Sequence, residues 1–314
     1  MNDKKWCQSP FLLAPMAEIS HRALRELIEK FGGCGEYFSE MISAGALIND
    51  GQFEKWYADN GPRPDKHVYQ LVGADAEKIA KAAEILDRNE CAGIDINMGC
   101  SAPLIRKTGA GAAWMADIDR AGKLVSLVRK VVKRRLSVKL RIGFKDDFEY
   151  LADFCRRLES EGTELIILHP RTVTEKFKRL AKWEYVGALR KELKIPVAGN
   201  GDIASAADMV RRIPECDAVM TGRAAVRKPW IFAEAGALPN SYTVPNIEET
   251  GLLFIELLAK HQPQEFHVSR ALRFFTYFCG NLKWGTFLKN QINREKTLSG
   301  IEETWRNYFR ENEE

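Results

Sequence analysis

Short apolar stretches recur along residues 11–224, and more polar segments separate them. Their content of β-branched and apolar residues is typical of buried strands. Eight strands are predicted, at 11–16, 36–41, 68–73, 93–99, 137–143, 164–171, 195–202 and 217–224. Between them, apolar residues spaced three and four positions apart predict helices at 21–31, 75–88, 119–134 and 147–162. The connection 42–67 is less regular and is predicted as a long loop.

The strand ends help to choose between the two folds in which strands and helices alternate, a closed (β/α)8 barrel and an open doubly wound sheet. Mostly polar residues stand at the carboxyl ends of the predicted strands: Met16, Glu40, Gln70, Asn97, Arg141, His169, Asn200 and Arg223. In a barrel these ends converge on one mouth, where active sites are built. The first strand also lacks the GxGxxG turn of dinucleotide-binding sheets. The pattern therefore favours an α/β TIM barrel.

A proline-bearing stretch at 236–249 ends the alternation, and only helical patterns follow it. Helices are predicted at 249–262, 269–285 and 300–314. The chain is therefore divided into a barrel domain, residues 1–240, and a small all-helical domain, residues 246–314. The helical domain carries nine Lys and Arg residues among aromatics that either form its core or face a nucleic acid. These aromatics include Phe274, Phe275, Tyr277, Trp284 and Phe287.

Composition narrows the class of protein. Hydrophobic residues make up 45% of the 314 residues, which is enough for a sizeable core. No apolar run has the length of a signal peptide, and none reaches the roughly 20 residues of a membrane span, so a soluble, cytoplasmic protein is expected. The seven cysteines form no CxxC pair, so no metal site is expected and most of the thiols should be buried.

The formal net charge is only +4, but the charge is uneven along the chain. Residues 101–145 carry twelve Lys and Arg against two Asp, a local excess of ten positive charges. Such an excess suggests a polyanionic partner. The run at 129–135 fits a solvated helix face equally well, whereas Lys139 and Arg141 lie inside a predicted strand.

The two last predicted strands end in glycine-containing loops, 199–202 and 221–226. The loops after strands seven and eight are where barrels commonly hold a phosphate, and glycine lets backbone N–H groups approach an anion. Arg223 adds a charged donor. We expect these loops to bind the phosphate of a substrate or a cofactor, the alternative being that their glycines only make tight turns.

Lys139 and Arg141 alternate on one face of the fifth predicted strand. Bases that point into a barrel need a partner or a ligand. Lys139 either stabilises negative charge on a reduced flavin ring or, like Arg141, forms a salt bridge with an acid such as Glu40. Arg141 could instead reach a substrate phosphate. His169 ends the next strand on the same predicted rim, where a functional role is favoured over a structural one.

Cys100 follows the fourth predicted strand, with Arg106 and Lys107 in the loop beyond it. Electropositive neighbours favour a thiolate, as a nucleophile requires. A cysteine can also act as a general acid that gives a proton to a carbon. The sequence pattern leaves both roles open.

Nine ordered motifs resemble those of the tRNA-dihydrouridine synthase family. They are FLLAPMAEISHRALR (11–25), SEMISAGAL (39–47), YQLVG (69–73), DINMGC (95–100), GAGAAWM (109–115), VKLRIGF (138–144), LHPRT (168–172), PVAGNGDI (196–203) and MTGRAAVRKPWIF (220–232). The helical tail fits the family's small RNA-binding domain. The resemblance implies an FMN-dependent oxidoreductase that reduces the C5–C6 bond of specific uridines in tRNA, with NADPH as the reductant.

The resemblance also implies a role for each matching residue. Cys100 would protonate uracil C5 as hydride reaches C6. FMN would be held by Pro15, Met16, Gln70, Lys139, His169, Asn200, Gly201, Asp202, Gly222 and Arg223. The target nucleotide would be held by Asn97, Arg141 and Arg171. The expected partner is tRNA, with no membrane and no metal, and the protein is expected to be a monomer.

Four positions depart from the family's pattern. Ser101 replaces a usual proline, Leu104 a usual base, and Glu18 and His21 a usual glycine and aspartate. Two other hypotheses compete. A flavin barrel that acts on a small molecule would need neither the charge of 101–145 nor the helical tail. A non-catalytic RNA-binding protein would show damage at Cys100 or in the phosphate loops, and the sequence shows none.

Overall fold

The computed structural model describes residues 6–175 and 179–312. Eight parallel strands follow one another around a closed barrel, which confirms the predicted TIM barrel. The strands are β1 (Phe11–Leu13), β2 (Glu36–Ser43), β3 (His67–Val72), β4 (Gly93–Met98), β5 (Arg135–Arg141), β6 (Leu165–His169), β7 (Val197–Asn200) and β8 (Ala218–Thr221). The barrel closes where β1 pairs with β8, with Leu12 opposite Met220.

Helices surround the strands. They are α1 (Arg22–Lys30), α2 (Ala44–Ile48), α3 (Glu54–Tyr57), α4 (Ala76–Asp87), α5 (Pro103–Lys107), α6 (Ile118–Val131), α7 (Phe148–Ser160), α8 (Trp183–Glu192), α9 (Ala206–Arg212), α10 (Arg223–Arg227) and α11 (Ile231–Ala237). Asp75, Asp117 and Asp147 cap α4, α6 and α7 by accepting N–H groups of the first turn. The four helices predicted between strands are therefore confirmed, with small shifts at their ends.

The connection predicted as a loop at 42–67 is more ordered than expected. It contains α2, α3 and a 310 turn at Pro64–Lys66. Ser43 caps α2 by accepting the N–H of Ala46. These helices span only five and four residues, too few to show a helical period in the sequence.

The inside of the barrel has an apolar cluster in its middle and charged side chains toward both ends. An apolar cluster fills its middle: Leu12, Ala14, Phe38, Val68, Leu165, Ile167, Ala198, Ala218 and Met220. At the amino end of β5, the Arg135 guanidinium donates two hydrogen bonds to the Glu36 carboxylate, at 2.5 and 2.8 Å. The alternation along β5 then brings Lys139 and Arg141 to the opposite end.

A bulge in β2 determines which partner the Glu40 side chain reaches. The register of β2 on β3 shifts between Phe38 and Met41. The Glu40 carboxylate lies 3.2 Å from the Arg270 guanidinium, and both side chains are buried. The alternative in which Glu40 forms a salt bridge with Lys139 or Arg141 is therefore wrong, because an extra residue in a strand breaks the alternation of its faces.

The chain beyond residue 246 is helical, as predicted, but contains four helices instead of three. They are α12 (Ile247–His261), α13 (Gln264–Phe278), α14 (Gly285–Ile292) and α15 (Leu298–Glu311). The predicted helix 269–285 ends at Phe278, where a 310 turn precedes α14. The last two residues of the predicted helix 300–314 lie outside the described residues. Helix α12 packs against α1, and α13 packs against α10.

The aromatics of this helical region divide into two groups. The Phe254 and Phe274 rings stack with centroids 3.6 Å apart, and Phe275 packs on Trp305 at 4.8 Å. Trp284 and Phe287, by contrast, are 57% and 62% exposed. Residues 246–314 hold nine Lys and Arg but ten Asp and Glu, so the region as a whole is not basic. Within 6–175 and 179–312, no helix is both long and apolar enough to cross a membrane.

Candidate active site

A cavity of about 480 Å3 opens at the carboxyl ends of the barrel strands. Among the predicted site residues, all but Gln70 line it: Pro15, Met16, Asn97, Cys100, Lys139, Arg141, His169, Arg171, Asn200, Gly201, Asp202, Gly222 and Arg223. They come together because the parallel strands of a closed barrel all end at one mouth. The structure therefore gathers these residues around one cavity at the strand ends.

The glycines of the last two loops allow close packing within the cavity wall. Gly201 has a φ of +130°, and a Cβ there would lie 3.1 Å from the His169 ring. A Cβ at Gly222 would lie 2.8 Å from the Met16 sulfur. The Asn200 amide donates to the carbonyl of Met220 at 2.9 Å and so ties the end of β7 to β8. Any larger residue at either glycine would narrow the cavity.

The cavity lining carries more positive than negative charge. Its cationic side chains are Lys139, Arg141, Arg171 and Arg223, and its acid is Asp202. Asp202 accepts hydrogen bonds from the Arg171 guanidinium at 2.5 and 2.7 Å. This donor set fits an anionic ligand, since the one lining carboxylate already has a cationic partner.

Lys139 and Arg141 point toward the mouth, as predicted. Burial and the neighbouring Arg141 lower the pKa of Lys139 to about 8. Arg141 donates from Nε to the carbonyl of Gly99 at 3.0 Å and from Nη1 to the carbonyl of Thr172 at 3.2 Å. Arg141 thus joins the loop that follows β4 to the loop that follows β6.

His169 is a neutral ring in this setting. Burial, assisted by the surrounding cations Lys139 and Arg141, lowers its pKa to about 2. Its Nε2 lies 3.0 Å from Nη1 of Arg171. Because a guanidinium only donates, Nε2 is the acceptor and the ring proton is assigned to Nδ1. Arg171 therefore selects the tautomer of His169.

Cys100 sits in a tightly held loop. Asn97 Oδ1 accepts the N–H groups of Gly99 and Cys100, at 3.2 and 2.9 Å. Ala112 donates its N–H to the Cys100 carbonyl at 2.9 Å. Gly111 has a φ of +58°, and a Cβ there would lie 2.7 Å from that carbonyl oxygen. Gly111 thus lets the following turn pack directly on the cysteine.

The Cys100 thiol is half-buried, whereas most of the other thiols are buried, as expected: Cys34, Cys91, Cys155, Cys216 and Cys279. Its neighbours in the cavity include Lys139 and Arg141, whose pKa values burial lowers. Such surroundings suit a thiol that reacts with, or protonates, a ligand in the cavity. No group of His, Cys, Asp and Glu among the described residues could hold a metal ion.

Other bases of the segment 101–145 serve the fold. Arg135 pairs with Glu36 at the opposite end of the barrel. Arg129 pairs with Glu164 at 2.6 Å, and Arg120 stacks on the Trp114 ring at 3.7 Å. Part of the positive charge of residues 101–145 is therefore already engaged within the fold.

Two parts of the site were missed. Tyr277 of α13 lines the cavity, so the helical region contributes to the mouth. The sequence carries no sign of this, since nothing local shows which face of α13 meets the barrel. Asp95 was also passed over, although an acid inside the apolar run GIDIN was a visible signal.

Gln70 lies beneath the cavity, where its amide donates to Asp95 at 2.7 Å and accepts from Asn97 at 2.8 Å.

Comparison with known proteins identifies relatives over nearly the whole chain. The family model described as "Dihydrouridine synthase (Dus)" matches residues 12–312. A protein of Aquifex aeolicus named "Probable tRNA-dihydrouridine synthase" is 35% identical over 242 residues, covering 74% of each chain. A protein of the same name from Rhodobacter capsulatus is 32% identical over 256 residues, covering 80% of this chain and 78% of the relative.

Solved structures with a similar fold are much more distant in sequence. Morphinone reductase in complex with tetrahydroNAD aligns with a TM-score of 0.54 at 12% identity, covering 76% of this chain and 89% of that chain. The 6-hydroxypseudooxynicotine amine oxidase of Pseudomonas geniculata aligns with a TM-score of 0.56 at 11% identity, covering 74% and 47%. At this identity the likeness concerns the fold alone.

Proposed function

The chain belongs to the dihydrouridine synthase family, and from that premise we propose that it reduces the C5–C6 bond of specific uridines in tRNA. The observation that carries the proposal is the half-buried thiol of Cys100, which stands beside Lys139 and Arg141 on the rim of a cation-rich barrel mouth. The relatives over 30% identical, named as tRNA-dihydrouridine synthases, support the same substrate.

FMN is the proposed cofactor, and the chemistry of the lining fits it. The phosphate would lie at Asn200, Gly201, Gly222 and Arg223, where the last two strands end. Pro15, Met16 and Lys139 would hold the ring system, and the cationic side chains of the lining would balance the negative charge of FMN. When bound, FMN would supply the hydride for uracil C6, with NADPH as the proposed reductant. Gln70, which lies beneath the cavity, would help to hold the ring.

The side chains around Cys100 are proposed to handle proton and charge. Cys100 is assigned as the general acid that protonates C5 of uracil, which suits a thiol that is accessible from the cavity. Negative charge develops on the uracil carbonyl oxygen as C6 gains hydride, and the cations Lys139 and Arg141 would stabilise it. Neutral His169 would offer its Nδ1–H without adding a further charge.

The nucleotide would enter the mouth after leaving its stack in the tRNA, since the thiol lies inside a cavity. Asn97 and Arg141 are proposed to contact it. Arg171 is proposed to act through His169 and Asp202, which already occupy its guanidinium. The helical residues 246–314 are proposed as the tRNA-binding domain beside the catalytic domain, residues 1–240. Since that region is not basic overall, recognition would rest on shape and exposed aromatics more than on net charge.

An anaerobic half-reaction tests the proposal. The FMN-loaded protein is reduced with NADPH and mixed with a tRNA transcript that lacks dihydrouridine, and the flavin absorbance is followed. Rapid reoxidation that fully modified tRNA does not cause, together with dihydrouridine detected by mass spectrometry, is the expected result. A reduced flavin that neither RNA reoxidises would indicate a small-molecule substrate. A protein that binds no flavin would contradict the enzyme assignment.

The role of Cys100 is tested in the same assay. Cys100→Ala is expected to slow uridine reduction by roughly 10²- to 10⁴-fold, the usual contribution of a general acid. Cys7→Ala is the matched control, because Cys7 is also half-buried but lies at the amino end of the barrel. A Cys100→Ala protein as fast as the control would refute the general-acid role.

A further inference from the structure

A fully buried acid lies directly beneath the candidate active site. Asp95 is on β4, two residues before Asn97, and both side chains point into the barrel. The strand register places it opposite Gln70 on β3 and Ser137 on β5. Its carboxylate accepts from the Gln70 amide at 2.7 Å and from the Ser137 hydroxyl at 2.6 Å.

This carboxylate is the first group in a chain of hydrogen bonds in which the donor and the acceptor of each bond are fixed. An ionised carboxylate only accepts, so the Gln70 amide must turn its NH₂ group toward Asp95. The Gln70 carbonyl oxygen then faces Asn97 and accepts from its NH₂ group at 2.8 Å. The Asn97 carbonyl oxygen is thereby turned to the N–H groups of Gly99 and Cys100. Each amide in the chain has its orientation set by the group before it.

We propose that Asp95 is a positioning residue that acts through Gln70 and Asn97 to hold the backbone at Cys100, and so to aim the thiol into the cavity. The use of the thiol rests on the proposed function, whereas the mechanical link does not. Asp95 touches neither the cavity nor the thiol. It differs in this from the residues that line the cavity.

The surroundings of Asp95 argue against a purely structural role. Nearby inward positions hold apolar residues such as Val68 and Ile167, which fill a barrel without cost. A buried carboxylate is expensive, and burial raises the pKa of Asp95 to about 6. Among the described residues it forms no ion pair within 4.0 Å. An apolar residue would stabilise the barrel better, so the acid is explained by what its hydrogen bonds orient.

Hydrogen exchange on the cofactor-loaded protein tests the link without any substrate. The amides of Gly99 and Cys100 should exchange roughly fivefold faster or more in Asp95→Leu, the effect of losing one hydrogen bond of about 1 kcal/mol. Asp95→Asn retains an acceptor for Gln70 and can donate to Ser137, so it should remain near wild type. Ser137→Ala is the matched control: it removes the other bond to Asp95 and should leave both amides within about twofold of wild type.

Turnover supplies the second measurement. Asp95→Leu should lower kcat for tRNA with KM little changed, and Asp95→Asn should restore kcat. If Asp95→Leu does not fold, Gln70→Met breaks the same chain one link later and should speed exchange at the same two amides. Protected amides in a folded Asp95→Leu or Gln70→Met protein would overturn the proposal, as would Asp95→Asn exchanging as fast as Asp95→Leu. Because exchange requires no tRNA, these outcomes are separate from failure of the proposed function.

Discussion

The two ends of strand β5 carry the same kind of residue in opposite electrostatic settings. At the amino end, the charge of Arg135 is neutralised by a bidentate ion pair with Glu36. At the carboxyl end, Lys139 forms no ion pair with any carboxylate in the described part of the chain, and burial lowers its pKa to about 8. Both bases point into the same barrel, only a few residues apart.

The difference shows how one strand separates stability from chemistry. A paired base inside the barrel adds little field to its surroundings, because the carboxylate cancels it. A base left with a lowered pKa keeps its ability to stabilise an arriving anion, at a cost in folding free energy. We therefore expect substitutions at the amino end to change stability and those at the mouth to change activity.

The largest effect is expected at the amino end. Arg135→Met leaves the buried Glu36 carboxylate without its partner and should lower the free energy of unfolding by about 3–5 kcal/mol. Urea denaturation followed by circular dichroism measures this. The double variant Glu36→Leu with Arg135→Met should recover most of the loss, because no unpaired charge remains. Equal losses in the single and double variants would contradict the account.

The next effect is expected at the mouth. Lys139→Met should slow tRNA-dependent reoxidation of the reduced flavin by roughly 10²-fold or more, the typical loss when a donor to developing charge is removed. The free energy of unfolding should not fall, since a costly buried ammonium is lost. Stopped-flow absorbance and urea denaturation on the same preparation give both values. A Lys139→Met protein with a normal reoxidation rate but a lower free energy of unfolding would contradict the contrast between the two ends of β5.

A pH series sharpens the contrast further. The pKa of Lys139 is lowered to about 8, so this side chain is a cation below pH 8 and loses its charge above it. The affinity for FMN, measured by fluorescence titration, should therefore fall above pH 8, with a limiting slope of about tenfold per pH unit. The Lys139→Met variant should bind FMN weakly, and its affinity should not change over the same pH range. A wild-type affinity that does not change between pH 7 and 9.5 would contradict this assignment.

The smallest effect is expected at His67, near the amino end of β3. Burial lowers its pKa well below the usual value, and neither ring nitrogen has a hydrogen-bond partner among the described residues. The native state keeps this ring neutral, while the unfolded chain binds a proton below about pH 6.5, so wild-type stability falls as pH drops. His67→Phe should gain about 1 kcal/mol over wild type on going from pH 8 to 5.5. Thermal unfolding at the two pH values tests this, and an equal difference at both would contradict it.

Much of the molecule was predictable because the signals are local. Alternation of apolar runs and helical periods indicated the barrel, and the residue at each strand end indicated the mouth. Cys100, Lys139, His169 and Asn200 were found in this way, since a parallel barrel turns neighbours along the chain into neighbours in space. Helix α14 and the short helices after β2 were not predicted, because so few residues show no clear helical periodicity.

The amino-acid sequence alone determined the fold, the family and most of the cavity lining, since each depends on short stretches of chain. Only the tertiary structure decided which charges are paired. A one-residue bulge in β2 sends Glu40 to Arg270 instead of to Lys139, and helix packing brings Tyr277 to the mouth. The direction of the amide chain from Asp95 to Cys100 was likewise not readable, because it depends on the register of three strands and on donors and acceptors distant along the chain.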